Sequence, residues 1–397
     1  MFWRLWCQVV QFDAAHHKTT DNATLSIVSC TRQARRLSSE WIAKSAAMIH
    51  RVSMILRPKS SLLRHGALPG SASAVPMAAV PAWLRRAAPE AQSLAGNGVG
   101  LNALEDVALV SGAAIGALDA VVRRQERWAG AWRQRLALSA AAITAKQAGR
   151  IENEAALRDA VLLTRPGDNV GPAGRLLLAW RRLAARPAAE LLTEKNLAAV
   201  LEEFGHAPDD AVLSDLADDV RQLGAGIGMV GMLTGAFIAT ERHDFGRAFG
   251  CWLADALLAQ RLGWAHAMPL LGAEAALGMG SGRPRRITAA LAATGIEAGS
   301  DLAKNLLAAQ VRSALRAIDL FVEFERRADR LLAVAPKLRA KAADAVVERL
   351  LSDDAIVASQ KIAGMSDRGL RRLFDRLVEL GAIGELSGRP TFRIYGL

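Results

Sequence analysis

The sequence predicts a mainly α fold: an Ala- and Leu-rich helical body followed by a small C-terminal winged helix-turn-helix with one β-hairpin. Three observations point there. Ala and Leu dominate a chain that is 51% hydrophobic, and both lead the helix propensity scale. From Pro81 onward the apolar residues recur at helical rather than alternating spacing. The closing stretch MSDRGLRRLFDRLVELGAIGELSGRPTFRIYGL (365–397) departs from that habit, running from an amphipathic helix into two short strands around a Ser-Gly-Arg-Pro turn.

In chain order, residues 101–122 form an apolar helix with interspersed Ala and Gly. Residues 128–149 place Trp128, Trp132 and Leu136 at i, i+4 and i+8 of the next helix. TRPGDNVGPAG (164–174) concentrates helix breakers and is a loop. Helices resume over 175–186 and 193–204, then over 209–240, 244–263, 265–278 and 287–335, with GSGRPRR (280–286) a basic loop between the last two. Pro336 interrupts the final long helix, because proline removes a backbone donor and clashes with the preceding turn. The chain therefore divides into a basic leader (1–76), a helical body (77–335) and the winged helix (336–397). No repeat of fixed period appears, which leaves a helical solenoid unsupported.

The formal charge of +11 needs dissecting before it implies an anionic partner. Residues 1–76 carry ten Lys or Arg against Asp13, Asp21 and Glu40, a net of +7, so the other 321 residues hold only +4. That first segment also holds Cys7, Cys30 and four of the seven histidines, and lacks the Ala/Leu periodicity. It reads as a disordered or mis-assigned leader, with the true start at Met54 or Met77. A secretion signal fits poorly, since Asp13 arrives before an apolar core has formed. The acid-poor, Ser-rich stretch RRLSSEWIAKSAAMIHRVSMILR is the competing reading, as a targeting segment. Cys251 is the one cysteine of the body, so no disulfide framework is expected there and a reducing cytoplasm is the default.

In the tail, KLRAKAADAVVERLLSDDA supplies a first helix with Ala342, Val346 and Leu350 on one stripe. VASQKIAGMSD holds a short, weaker helix and a turn reaching Ser366, whose hydroxyl suits an N-cap. The following helix buries Leu370, Leu373, Phe374, Leu377 and Val378 and turns Arg368, Arg371, Arg372, Asp375, Arg376 and Glu379 outward. Gly381 ends it. Strands over 382–386 and 391–395 follow, with Gly388 supplying the positive φ of a tight hairpin. Two lone strands are marginal in water, and packing on a helix pair is what lets them persist.

Helix, turn, helix, hairpin is the order of a winged helix-turn-helix, whose second helix enters the major groove of duplex DNA. Ser366, Arg368, Arg371, Arg372 and Arg376 are thereby candidate DNA-binding residues on the recognition helix. Arg389 at the wing tip and Arg393 on the return strand join them, since guanidinium forks grip guanine edges or phosphates. Ordinary solvated charge is the competing explanation. Asp375 and Glu379 share the face, and residues 337–397 carry eleven bases against eight acids, a net of only +3.

The stretches WAGAWRQRLALSAAA (128–142), EAALRDAVLL (154–163), GPAGRLLLAWRRLAARP (171–187), WLADALLAQRLGW (252–264) and RADRLLAVAPKLRAKAADAV (327–346), with the tail, resemble the bacterial family catalogued as domain of unknown function 1403. The resemblance covers roughly residues 80–397. It implies no activity, cofactor or catalytic residue. The tail is also similar to the winged-helix ends of bacterial regulators and of Fic-type proteins. The His-Pro-Phe…Gly-Asn-Gly signature of a Fic enzyme is missing, so that chemistry does not carry over.

Other features invite chemistry and have plainer explanations. Gly226-x-Gly228-x-x-Gly231 has the spacing of a dinucleotide fingerprint, but a helical SDLADDVRQ precedes it instead of a strand. Tight helix packing or a helix break accounts for it better. Residues 223–240 are uncharged and carry the pairs Gly224/Gly228 and Gly231/Gly235, yet five glycines and two threonines dilute them below a membrane span. Glu241, His243, Asp244 and His266 lack ligand spacing, and Asp244 reads as the cap of a helix beginning at Phe245. Cys251 sits in an apolar helix with no basic neighbour to activate it.

The expectation is a cytoplasmic DNA-binding or regulatory protein without metal or cofactor, not an enzyme and not a membrane protein. Its winged helix contacts double-stranded DNA, while its body forms a homodimer or binds a ligand or protein partner. Two alternatives stay open. One is a scaffold whose winged helix docks another protein. The other is an enzyme using an acid-lined helical pocket built from Asp119, Asp159 and Asp255.

Overall fold

The structure is a computed structural model and describes residues 80–88, 103–165, 167–226, 228–274, 296–340 and 342–397. The expected leader (1–76) and the GSGRPRR loop lie outside the described residues. A short helix α1 (Ala82–Ala87) leads to α2 (Leu104–Val122), α3 (Ala129–Gln147), α4 (Glu154–Leu162) and α5 (Gly171–Ala185). The body continues with α6 (Ala188–Leu191), α7 (Glu194–Glu203), α8 (Asp210–Ala225), α9 (Met229–Arg242), α10 (Arg247–Leu262) and the 39-residue α11 (Ile296–Val334). Local chemistry sets several of these boundaries. Asn153 caps α4 by accepting from the Ala156 amide at 3.0 Å, and Asp209 caps α8 through the Val212 amide at 2.8 Å. Gly263 closes α10 in the left-handed conformation, with φ of 66°.

The main pairings are α2 along α11, α3 against α5, and α9 against α10. Trp128 and Trp132, the i, i+4 pair of the sequence, both face Phe321 of α11, with ring centroids 4.4 and 5.0 Å away. Trp132, Trp180, Trp252 and Trp264 are buried, and each indole N–H has an acceptor: Ala317 O, Thr144 Oγ1, Ala179 O and Asp119 Oδ1 respectively. A buried indole without such a partner would cost about 1–3 kcal/mol.

Three expectations for the body are corrected. Residues 209–240 are two helices, broken at Gly226–Gly228, and Gly235 of α9 lies so close to α8 that an added Cβ would sit 2.3 Å from Leu223. Residues 265–274 hold one 3-10 turn, Leu271–Ala273, instead of a helix. Pro269 removes a helical donor there, and the Leu270 and Leu271 amides donate to the buried Asp255 carboxylate. Asp244 caps nothing: it takes φ of 56° in a turn, and α10 begins at Arg247 after Gly246.

Beyond a 3-10 turn at Ala335–Lys337, where Pro336 ends α11, the chain forms α12 (Ala343–Ser352), β1 (Ile356–Val357), α13 (Asp367–Glu379), β2 (Gly384–Glu385) and β3 (Ile394–Gly396). The short helix expected before Ser366 is not formed. Ile356 and Val357 instead pair antiparallel with Tyr395 and Ile394, giving a three-stranded sheet of order β1-β3-β2. β2 and β3 are shorter than expected, with Gly384 opposite Gly396 and Glu385 opposite Tyr395. The described residues belong to one compact unit, and its apolar core runs without interruption across Pro336 from Leu331 to Val346, Leu350 and Phe374. Among the described residues no helix is long and apolar enough to cross a membrane.

Candidate nucleic-acid interface

Helix α13 is amphipathic because its apolar residues fall at three- and four-residue intervals. Leu370, Leu373, Phe374 and Leu377 are buried, and Phe374 stacks on Tyr395 of β3 at 4.4 Å. Val378, expected on the same face, is 38% exposed. Ser366 caps the helix by accepting from the Gly369 amide at 3.2 Å, and Gly381 ends it with φ of 64°. Ser366 thus has a structural task at the end where Arg368, Arg371 and Arg372 lie. Those three arginines are exposed and form no ion pair among the described residues.

The other candidates are engaged. Arg376 bonds Glu379 one turn on at 2.7 Å, and Arg393 lies 3.8 Å from Asp375. Both pairs are exposed. Arg389 departs furthest from the expected wing tip. Its Nη2 donates to Asp159 of α4 at 2.6 Å, so the β2–β3 connection folds back on the body. That loop is braced from within: the Glu385 carboxylate accepts from the Ser387 amide at 2.8 Å and the Gly388 amide at 3.0 Å, with Gly388 at φ of 63°. Burial alone would raise Glu385, but these donors and the hydroxyl of Ser387 hold it below the ordinary carboxylate range. Because Arg389 and Asp159 keep about a third of their side chains in water (39% and 30%), Arg389→Ala is expected to cost under about 1 kcal/mol in urea unfolding.

A second set of charges, which sequence reasoning missed, fixes this segment on the body. Asp354, between α12 and β1, is buried with its carboxylate shared by Arg135 of α3 and by Arg158 of α4, the latter at 2.7 Å. Burial pushes that carboxyl upward, yet the two guanidinium groups outweigh it and hold the group below its ordinary value. Arg135 also donates to the Leu397 carbonyl at 3.1 Å, and Arg127 pairs with Glu348 of α12. Backbone approaches closely here too: a Cβ on Gly130 would lie 2.6 Å from the Ser352 carbonyl oxygen.

The three acids offered for an enzymatic pocket are not brought together. Asp119 binds Arg123 and the Trp264 indole, Asp159 binds Arg389, and Asp255 accepts from the Leu270 and Leu271 amides. Burial drives Asp255 well above the usual carboxylate range, with those amides opposing. His243 contacts Asp219 at 3.1 Å, and no cluster of three metal-ligating side chains exists among the described residues. Cys251 is buried, which pushes its thiol upward and disfavours the thiolate.

The model of a family described as "Protein of unknown function (DUF1403)" matches residues 70–397. No curated protein and no solved structure is significantly similar.

Proposed function

Because the chain belongs to the DUF1403 family of proteins of unknown function, we propose its role from its own geometry: residues 343–397 act as a winged-helix module that binds duplex DNA through α13. The observation that carries this reading is the unpaired, exposed trio Arg368, Arg371 and Arg372 on the first half of α13, where recognition helices present side chains to base edges. The order α12-β1-α13-β2-β3 and the sheet order β1-β3-β2 support it, as a helix pair with a strand closing onto a hairpin. The body holds the module through Arg135 and Arg158. One such module offers few contacts, so two chains on neighbouring half-sites are the assembly this reading implies.

The test is fluorescence anisotropy of a mixed-sequence duplex with the full chain, between about 50 and 200 mM salt. Wild type is expected to bind with a steep salt dependence. Arg368→Ala/Arg371→Ala/Arg372→Ala should weaken binding at least about tenfold and flatten the slope of log K against log salt by up to about 2–3, roughly 0.9 per lost phosphate contact. Its thermal midpoint should match wild type, because the three side chains lie in water. Absent binding at the lowest salt, or equal binding by the triple variant, rejects the reading.

A second reading has its own support. Arg376 and Arg393 are balanced by Glu379 and Asp375, and the Arg389 tether draws the loop toward α4. A face of mixed sign suits a protein partner, and the module would then dock a protein. Loss of duplex binding in wild type, with a salt-insensitive protein complex recovered instead, selects it.

A further inference from the structure

Beside the clamp on Asp354 lies a cavity of about 950 Å³, within the size range of small-molecule sites. One wall comes from the α4–α5 connection and Arg181 of α5; the other comes from the end of α12, β1 and the chain that follows it. Its charges do not balance. Asp354 is already held by Arg135 and Arg158, and Asp353 is paired with Arg349. Arg165, Arg181 and Lys361 remain on the lining without an ion pair among the described residues. Arg181 is the most telling of them: its Nε is fully enclosed and has no hydrogen-bond partner. A buried guanidinium nitrogen with an idle donor is costly unless something supplies an acceptor. Burial pushes Arg181 below its ordinary value, against the attraction of Asp354 and Asp353.

Beside these charges and the polar Gln134, Thr164, Ser359 and Gln360, the lining has an apolar part that includes Val161, Val357 and Phe392. Phe392 is unusual on two counts. It is 67% exposed, and it holds φ of 52°, a left-handed conformation that aromatic side chains rarely adopt. Strain of this kind gathers at ligand clamps, where a side chain must be aimed at a cost to the backbone.

We propose that this cavity binds a small organic anion. A carboxylate or phosphate head sits on Arg181, flanked by Arg165 and Lys361, and an apolar body lies against Val161, Val357 and Phe392. The polar requirement and the apolar one are met by different residues, so an anion without an apolar part, or an apolar molecule without charge, satisfies only half the site. The inference stands apart from what α13 binds, and duplex affinity measured without added anion reports on that separately.

The test uses the full chain with phenyl phosphate, benzoate, inorganic phosphate and neutral benzyl alcohol as probes, read by thermal shift and calorimetry. Phenyl phosphate or benzoate is expected to raise the melting temperature with saturation, and the tighter of the two identifies the head group. Inorganic phosphate should bind at least about tenfold more weakly, and benzyl alcohol should produce no shift. Arg181→Met, which keeps the aliphatic stem, should weaken the bound anion at least about tenfold. Lys361→Gln, at an exposed position where folding is not at stake, should weaken it severalfold, and Phe392→Gly should do the same while keeping the positive φ. No shift with either organic anion up to about 10 mM overturns the proposal. So does affinity unchanged in both Arg181→Met and Lys361→Gln, the result expected if the anion binds elsewhere on the chain.

Discussion

Asp354→Ala is expected to remove about 3–5 kcal/mol of stability and to release the C-terminal segment from the body. The magnitude follows from what the substitution leaves behind. Asp354 has no side-chain exposure, and its partners Arg158 and Arg135 are only 9% and 17% exposed. Two guanidinium groups would remain in a poorly solvated place without a counter-charge. Urea unfolding would show the loss, and limited proteolysis would show new cuts after residue 354. Replacing the acid together with both arginines by apolar residues of similar size (Asp354→Leu, Arg135→Met, Arg158→Met) should recover most of it, because the penalty lies in the orphaned charges.

The same clamp sets an acid limit. The folded protein holds Asp354 below the ordinary value of 3.8, so the proton is bound more tightly when the chain is unfolded. Its contribution is therefore complete above that ordinary value and is lost as the pH falls through the depressed folded value. Wild type should lose stability steeply in that acid window, while Asp354→Ala should show a shallower dependence there. A variant whose acid unfolding parallels wild type would contradict this account.

Gly272→Val is the second large effect, at about 2–3 kcal/mol or more. A Cβ at this position would lie 2.2 Å from Trp180 Cη2 and 2.9 Å from the Ala140 Cβ. The ring cannot swing away, since Trp180 is fully buried and its N–H is held by Thr144 at 3.0 Å. Gly112→Ala provides the contrast. That glycine is exposed within α2 with nothing near its added methyl, so the change should stabilise by about 0.5–1 kcal/mol. Thermal unfolding that ranks the two variants the other way would rule out the packing described around Trp180.

What could be read from the sequence was local. The Trp128–Trp132–Leu136 spacing, the Ser366 cap, the Gly381 stop and the positive φ of Gly388 each depend on neighbours a few residues away and are found in place, although a longer loop joins the strands where a tight hairpin was expected. The exposed face of α13 was legible for the same reason, as a pattern within thirteen residues. Strand β1 was not, because two residues carry no period and the pairing that makes Ile356–Val357 a strand comes from residues 394–395. The clamp was hidden more deeply: Arg135 and Arg158 lie 219 and 196 residues before Asp354. Arg389 looked free in a Gly-Pro turn for the same reason, its partner being 230 residues away. The acids Asp119, Asp159 and Asp255 resemble one another in sequence context and separate only when their partners are known, two being bound by arginine and one by backbone amides.

The chain has one tyrosine, Tyr395, and nine tryptophans, the last of them Trp264. Tyr395 is buried against Phe374 in the small sheet, whereas the described indoles all belong to the body. The two chromophores therefore label different parts of the molecule without any engineering. Fluorotyrosine incorporation gives a single resonance that follows the terminal segment, while assigned fluorotryptophan resonances of the described indoles follow the helices that carry it, so detachment of one from the other can be timed against global melting.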